Sequence, residues 1–256
     1  MSGCAVDYPG AQARPSPNFG PRMGAGGIDM LILHYTGMES GDAAEAWLCD
    51  PASEVSSHYI VHEDGRIVQM VREADRAWHA GRAMWKGEAD INSRSVGIEI
   101  VNPGHSLGYP DFPAHQIDAV IALCRDISAR NRIAPERVLA HSDVAPGRKI
   151  DPGEKFPWNL AAKAGIGHWV EPSPPSDIVV CRAGDCGATV AELRYLLALY
   201  GYGIEINDEF CSVLEQVVSA FQRHFRPARV DGMADASTLD TLRRLIAALP
   251  ETTRVS

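Results

Sequence analysis

Short apolar runs, each of strand length, recur through the first 140 residues and constrain the fold most. The first is IDMLILH at 28–34, which ends on His34 and is followed by a Thr36-Gly37 loop. Runs of this length bounded by turn residues read as buried strands. SHYIVH at 57–62 and RIVQMV at 66–71 are a second and third, separated by Glu63, Asp64 and Gly65. The Asp-Gly pair predicts a hairpin, because such a turn needs positive φ. SVGIEIV at 95–101 and RVLA at 137–140 complete the set, the last delivering His141. Between them, 113–131 has helical spacing, with Ile117, Val120, Ile121, Cys124 and Ile127 on one face, and a short helix is expected over 42–48. Strands interleaved with covering helices predict an α/β fold, a mixed central sheet flanked by helices. The first twenty-five residues, rich in Pro and Gly, are expected to be extended.

Composition changes after about residue 166. EPSPPS at 171–176 reads as a linker, and helical spacing follows it. One helix is expected over 189–200. A second is expected to start near Asn207 with an apolar stripe of Phe210, Leu214, Val217, Val218, Phe221 and Phe225. A third follows Asp231-Gly232 with Leu239, Leu242, Leu245 and Ile246 facing inward. The predicted organisation is a catalytic domain over 1–166, a linker over 167–184 and a small three-helix C-terminal domain over 185–256. So Pro-rich a linker implies few crossing contacts, and a first domain that folds without the second.

Of the 256 residues, 45% are apolar and 22% charged, which excludes disordered and fibrous classes. The formal net charge of −9, with no Lys/Arg-rich block, argues against nucleic acid as a partner. No run of 18 apolar residues offers a transmembrane segment. The start of the chain lacks the basic and apolar regions of a secretory signal, although Cys4 stands where a lipidated cysteine would after processing. Six cysteines at 4, 49, 124, 181, 186 and 211 form no CxxC pair, and free thiols in a reducing compartment are expected.

Catalytic zinc takes three protein ligands and leaves a position open. The candidates are His34, His141 and Asp151, the last two within AHSDVAPGRKIDPG, a loop whose prolines and glycines constrain its path. Spacing alone leaves structural roles open for each. On the strand at 95–101, Ser95, Gly97 and Glu99 share one face and Val96, Ile98 and Ile100 the other, so Glu99 is either an acid/base or an ordinary solvated strand residue.

LILHYTG (31–37), SSHYIVHEDGRIVQMV (56–71), DRAWHAG (75–81), INSRSVGIEIVN (91–102) and HSDVAPGRKIDPG (141–153) together resemble the zinc-dependent N-acetylmuramoyl-L-alanine amidases, the AmpD-like, type 2 family. The resemblance covers roughly residues 25–165. It implies hydrolysis of the bond between N-acetylmuramic acid and L-alanine in peptidoglycan or muropeptides. It also implies zinc on His34, His141 and Asp151, Glu99 as acid/base, and Lys149 as the cation that stabilises the transition state. Trp78, His79 and His58 fall in matching segments away from the ligand positions and are expected to shape the substrate groove. Some proteins of this fold bind peptidoglycan without cutting it and lack the full ligand set; here the set is intact. VVSAFQRHFRP and VDGMADASTLDTL resemble a small peptidoglycan-binding domain. A recycling enzyme in the cytoplasm is expected, with the periplasm as the alternative that a glycan-binding tail would suit.

Overall fold

The computed structural model describes residues 6–251. Cys4 lies outside them. Past a turn at 7–10, the N-terminal stretch supplies two short strands, β1 (Ala11–Ala13) and β2 (Phe19–Pro21). The first apolar run forms β3 (Met30–Tyr35), followed by α1 (Gly41–Leu48), whose N-cap Ser40 accepts from the Ala43 N–H at 3.2 Å. The hairpin is β4 (Tyr59–Val61) and β5 (Ile67–Gln69), and β6 (Asp75–Ala77) pairs with β2. Then come α2 (Ile91–Arg94), β7 (Ser95–Ile100), α3 (Ala114–Asn131), β8 (Val138–Ala140), α4 (His141–Val144) and α5 (Trp158–Lys163). The C-terminal part holds β9 (Val179–Cys181), α6 (Ala188–Tyr200), α7 (Ser212–Phe225), β10 (Ala234–Asp235) and α8 (Ala236–Ala248). Among the described residues no helix is long and apolar enough to cross a membrane.

The main sheet has the order β1-β5-β4-β7-β3-β8 and is mixed: β3 runs parallel to β7 and β8, while β4 and β5 are antiparallel. The alternation read from β7 holds. Val96, Ile98 and Ile100 join Leu31 and Leu33 against Ile117, Val120, Leu123 and Ile127 of α3. The opposite face leaves Ser95, Gly97 and Glu99 for the site.

Two expectations change. Helix α7 starts after Cys211, not near Asn207. Backbone bonds from Gly187 N to Asp208 O and from Phe210 N to Asp185 O pull 208–210 into a ladder-like pairing, and Asn207 instead bonds its own turn through Glu209 N. The expected linker also holds regular structure, and apolar packing joins the parts on either side of it. Strand β9 lies inside it, and one apolar cluster joins Met30, Ile32, Trp85, Leu139 and Val144 to Val190, Leu193, Leu214, Val217, Phe221 and Leu242. Fully burying such side chains contributes about 1.5–3 kcal/mol each, so the two parts stabilise one another through a shared core. Composition marked 171–176 as irregular and could not report what packs across it.

Candidate active site

Sheet register brings the polar residues together. His34 and Glu99 are partners across β3 and β7. Leu33 pairs with Ala140, so His34 and His141 leave neighbouring strands one residue later, at the same level. The loop after α4 then returns Asp151 beside His141, pinned where the Ser142 N–H donates to Asp151 O at 3.0 Å.

His34 Nδ1, His141 Nδ1 and Asp151 Oδ2 converge with mutual separations of 2.9, 3.1 and 2.9 Å, all three residues buried. His141 Nε2 faces the Ala80 carbonyl at 3.1 Å, which can only accept, so the ring proton sits there and Nδ1 presents a lone pair. His34 Nε2 meets His79 Nδ1 at 3.1 Å, His79 Nε2 meets Ser95 Oγ at 3.2 Å, and Ser95 Oγ donates to Ile91 O at 2.6 Å. With a cation on His34 Nδ1, every proton in that chain has one consistent place. Two imidazole lone pairs, each backed by a further hydrogen bond, and a carboxylate oxygen form a donor set that suits zinc.

Electrostatics agree with this arrangement. Burial, and then the neighbouring His141, pushes His34 down to about 4, so it stays neutral. Burial raises the Asp151 carboxyl, but His141 and His34 outweigh that and hold it well below the ordinary range. Burial, reinforced by Asp151 and opposed by Lys149, lifts Glu99 well above it. Glu99 Oε2 is enclosed without a hydrogen-bond partner. It borders a cavity of about 370 Å³ shared with Lys149, Trp78, Trp47, Tyr35, His141 and Asp151. Two larger grooves, of about 680 and 650 Å³, carry no such cluster. Asp42, Glu45 and His62 also come close together, but Arg14 and Arg66 already pair with the Glu45 carboxylate.

Residues 24–154 match the model of the N-acetylmuramoyl-L-alanine amidases, and residues 186–242 that of a putative peptidoglycan-binding domain. AmiD of Escherichia coli is 41% identical over 223 residues, 82% of this chain and 79% of that protein. The chain belongs to the N-acetylmuramoyl-L-alanine amidase family. A solved complex of E. coli AmiD with the substrate anhydro-N-acetylmuramic acid-L-Ala-D-γ-Glu-L-Lys superposes with a TM-score of 0.73 at 38% identity, covering 91% of this chain and 92% of that one. AmpDh3 of Pseudomonas aeruginosa superposes with a TM-score of 0.75 at 31% identity, covering 96% and 99%. The 1,6-anhydro-N-acetylmuramyl-L-alanine amidase AmpD of E. coli is 31% identical over 58% of this chain and 88% of its own length.

The amidase therefore gathers His34, His141, Asp151, Glu99, Lys149, Trp78 and His79 around one centre. His79 borders the cavity, but both its ring nitrogens are engaged with His34 and Ser95, so it orients the His34 ring. Gly97 makes room for it: a Cβ there would lie 2.5 Å from the His79 ring. His58 is a correction. It is fully buried away from the cavity, with Nδ1 accepting from Gly97 N–H at 2.9 Å and Nε2 donating to Asp75 O at 3.1 Å. Residues that sequence reasoning missed include Arg148, which clamps the carbonyls of Ala80 and Arg82 beside the cavity, and Trp47, half exposed and lining the same cavity. Trp47 had a legible signal, an aromatic on the outward side of α1; Arg148 had none.

Proposed function

We propose that this amidase is zinc-dependent, with His34, His141 and Asp151 as ligands, Glu99 as acid/base and Lys149 as the stabilising cation. The observation that carries the reading is the convergence of three lone-pair donors beside the unpartnered Glu99 oxygen on one cavity. Zinc held there supplies Lewis acidity to the scissile carbonyl and lowers the pKa of water near it. Glu99, as carboxylate, takes a proton from the attacking water through its free Oε2 as the oxygen–carbon bond forms. It returns that proton to the alanine nitrogen as the carbon–nitrogen bond breaks, so the leaving group departs as a neutral amine. Lys149 supplies positive charge on the cavity wall as the carbonyl oxygen becomes negative. Trp78 and Trp47 give the cavity apolar walls suited to the faces of a sugar ring.

The substrate reading is a soluble 1,6-anhydro-muropeptide, supported by the substrate in the AmiD complex and by the reaction named for AmpD. Comparing product masses from anhydro-muropeptides and from intact sacculi tests it; faster cleavage of sacculi would assign the enzyme to the polymer. Cys49, Cys124, Cys181, Cys186 and Cys211 are free thiols, which supports a cytoplasmic setting over a periplasmic one. Fractionation of native cells checks that assignment.

A further inference from the structure

The loop that carries His141, Lys149 and Asp151 is held from the second domain. Asp143, two residues after His141, is fully buried. Its Oδ2 accepts from the Ala140 N–H at 2.8 Å, which fixes the first turn of α4, and from His224 Nδ1 at 2.6 Å. Its Oδ1 accepts from the Tyr202 hydroxyl at 2.7 Å. Tyr202 follows α6 and His224 lies in the last turn of α7, so both donors come from the C-terminal domain. The His224 ring is itself fixed, stacked 3.7 Å from Trp158 of α5 and 3.7 Å from Phe225. Further along the same loop, at Gly147, a Cβ would overlap the side chain of Gln216 on α7. The second domain thus bears on the loop at two points, one on each side of Ala145.

A buried carboxylate is costly unless its lone pairs are satisfied. Without Tyr202 and His224, Asp143 would keep only the Ala140 N–H of the three donors named. It would then swing toward water or draw the α4 turn with it, moving His141 and, through the Ser142 N–H, Asp151.

We propose that the C-terminal domain is a positioning element of the amidase centre: His224 and Tyr202 hold Asp143, and through it the α4 turn that presents His141. This goes beyond a wall-anchoring role for that domain, and it rests on the zinc reading of His34, His141 and Asp151.

The test uses the full chain with Tyr202→Phe and His224→Phe, singly and together, and His224→Asn, whose carboxamide N–H can replace the Nδ1 donor. Zinc affinity is read by competition with a chromophoric chelator, beside the thermal midpoint, kcat and KM on soluble anhydro-muropeptide, and retention on insoluble sacculi. Loss of outer-shell partners typically costs about 10–100-fold in metal affinity. The expected result is a loss of that size in the folded Phe variants, recovery in His224→Asn, and unchanged retention on sacculi. If the double variant fails to fold, the single variants decide the matter in the same way. Folded variants with a lower thermal midpoint but wild-type zinc affinity and kcat would overturn the proposal, leaving an ordinary domain contact. A wild-type protein that binds no zinc would overturn the zinc reading itself.

Discussion

His34 and Glu99 are register partners on the adjacent parallel strands β3 and β7, so a metal-ligand candidate and the acid/base candidate rise from one sheet face at the same level. The pairing separates their roles, because His34 Nδ1 points at His141 and Asp151 while Glu99 Oε2 has no protein partner. Glu99→Ala should therefore leave folding and zinc content near wild type and reduce kcat by about 10²–10⁴. Metal analysis beside steady-state kinetics checks this; nearly unchanged kcat would place the acid/base elsewhere.

Lys149 shares the cavity with Glu99 and pulls its carboxyl downward against burial. Lys149→Ala should lower kcat by about 10²–10³ with little change in KM, as expected of a group that acts on charge developing in the transition state. A loss confined to KM would mark Lys149 as a ground-state binder.

One zinc per chain is expected in purified protein. Chelation should abolish activity and stoichiometric zinc restore it. Full activity in protein carrying no metal would end the mechanism given above.

Gly97→Ala should cost about 1–3 kcal/mol through overpacking, because the new methyl group lies 2.5 Å from the His79 ring. Displacing His79 takes away the acceptor for His34 Nε2, so zinc affinity should fall with stability. Thermal unfolding and chelator competition read the two effects separately.

His58 makes a pH prediction. Burial first, and then the Arg22 guanidinium, pushes it down to about 3. Its Nδ1 already accepts from Gly97 N–H, so a second ring proton would face another donor. The folded value lies below the ordinary 6.5, so the unfolded chain binds more protons between the two. Stability is fully present above about 6.5 and falls as pH drops toward 3, by up to about 4 kcal/mol from this group. Urea unfolding across that range should show the decline, and replacing His58 with a group that does not titrate should flatten it.

A chain cut near Pro172 should unfold or precipitate. The cut strips cover from Met30, Ile32, Trp85, Leu139 and Val144 and leaves Asp143 without His224 and Tyr202. A soluble, zinc-loaded fragment with a cooperative unfolding transition would show that the first domain closes its core alone.

Much of this was legible in the sequence. Periodicity marked β3, β7, α3 and α6 to within a residue or two, because the side on which a residue lies follows from its own local geometry. Five segments, among them LILHYTG, INSRSVGIEIVN and HSDVAPGRKIDPG, carried the family resemblance and, with it, the candidate ligands and Glu99. Three matters were decided only by the tertiary structure. His58 and His79 are both histidines in matching segments, yet one is sealed under Gly97 and the other backs His34. The Pro-rich segment at 171–176 looked like a loose tether, yet the helices beyond it complete the core of the sheet's second face. Asp143 and His224, 81 positions apart, meet in a buried pair. Local pattern fixes how a segment folds and which of its sides is apolar. Which distant side chain arrives against it depends on how whole elements dock, and no spacing along the chain encodes that.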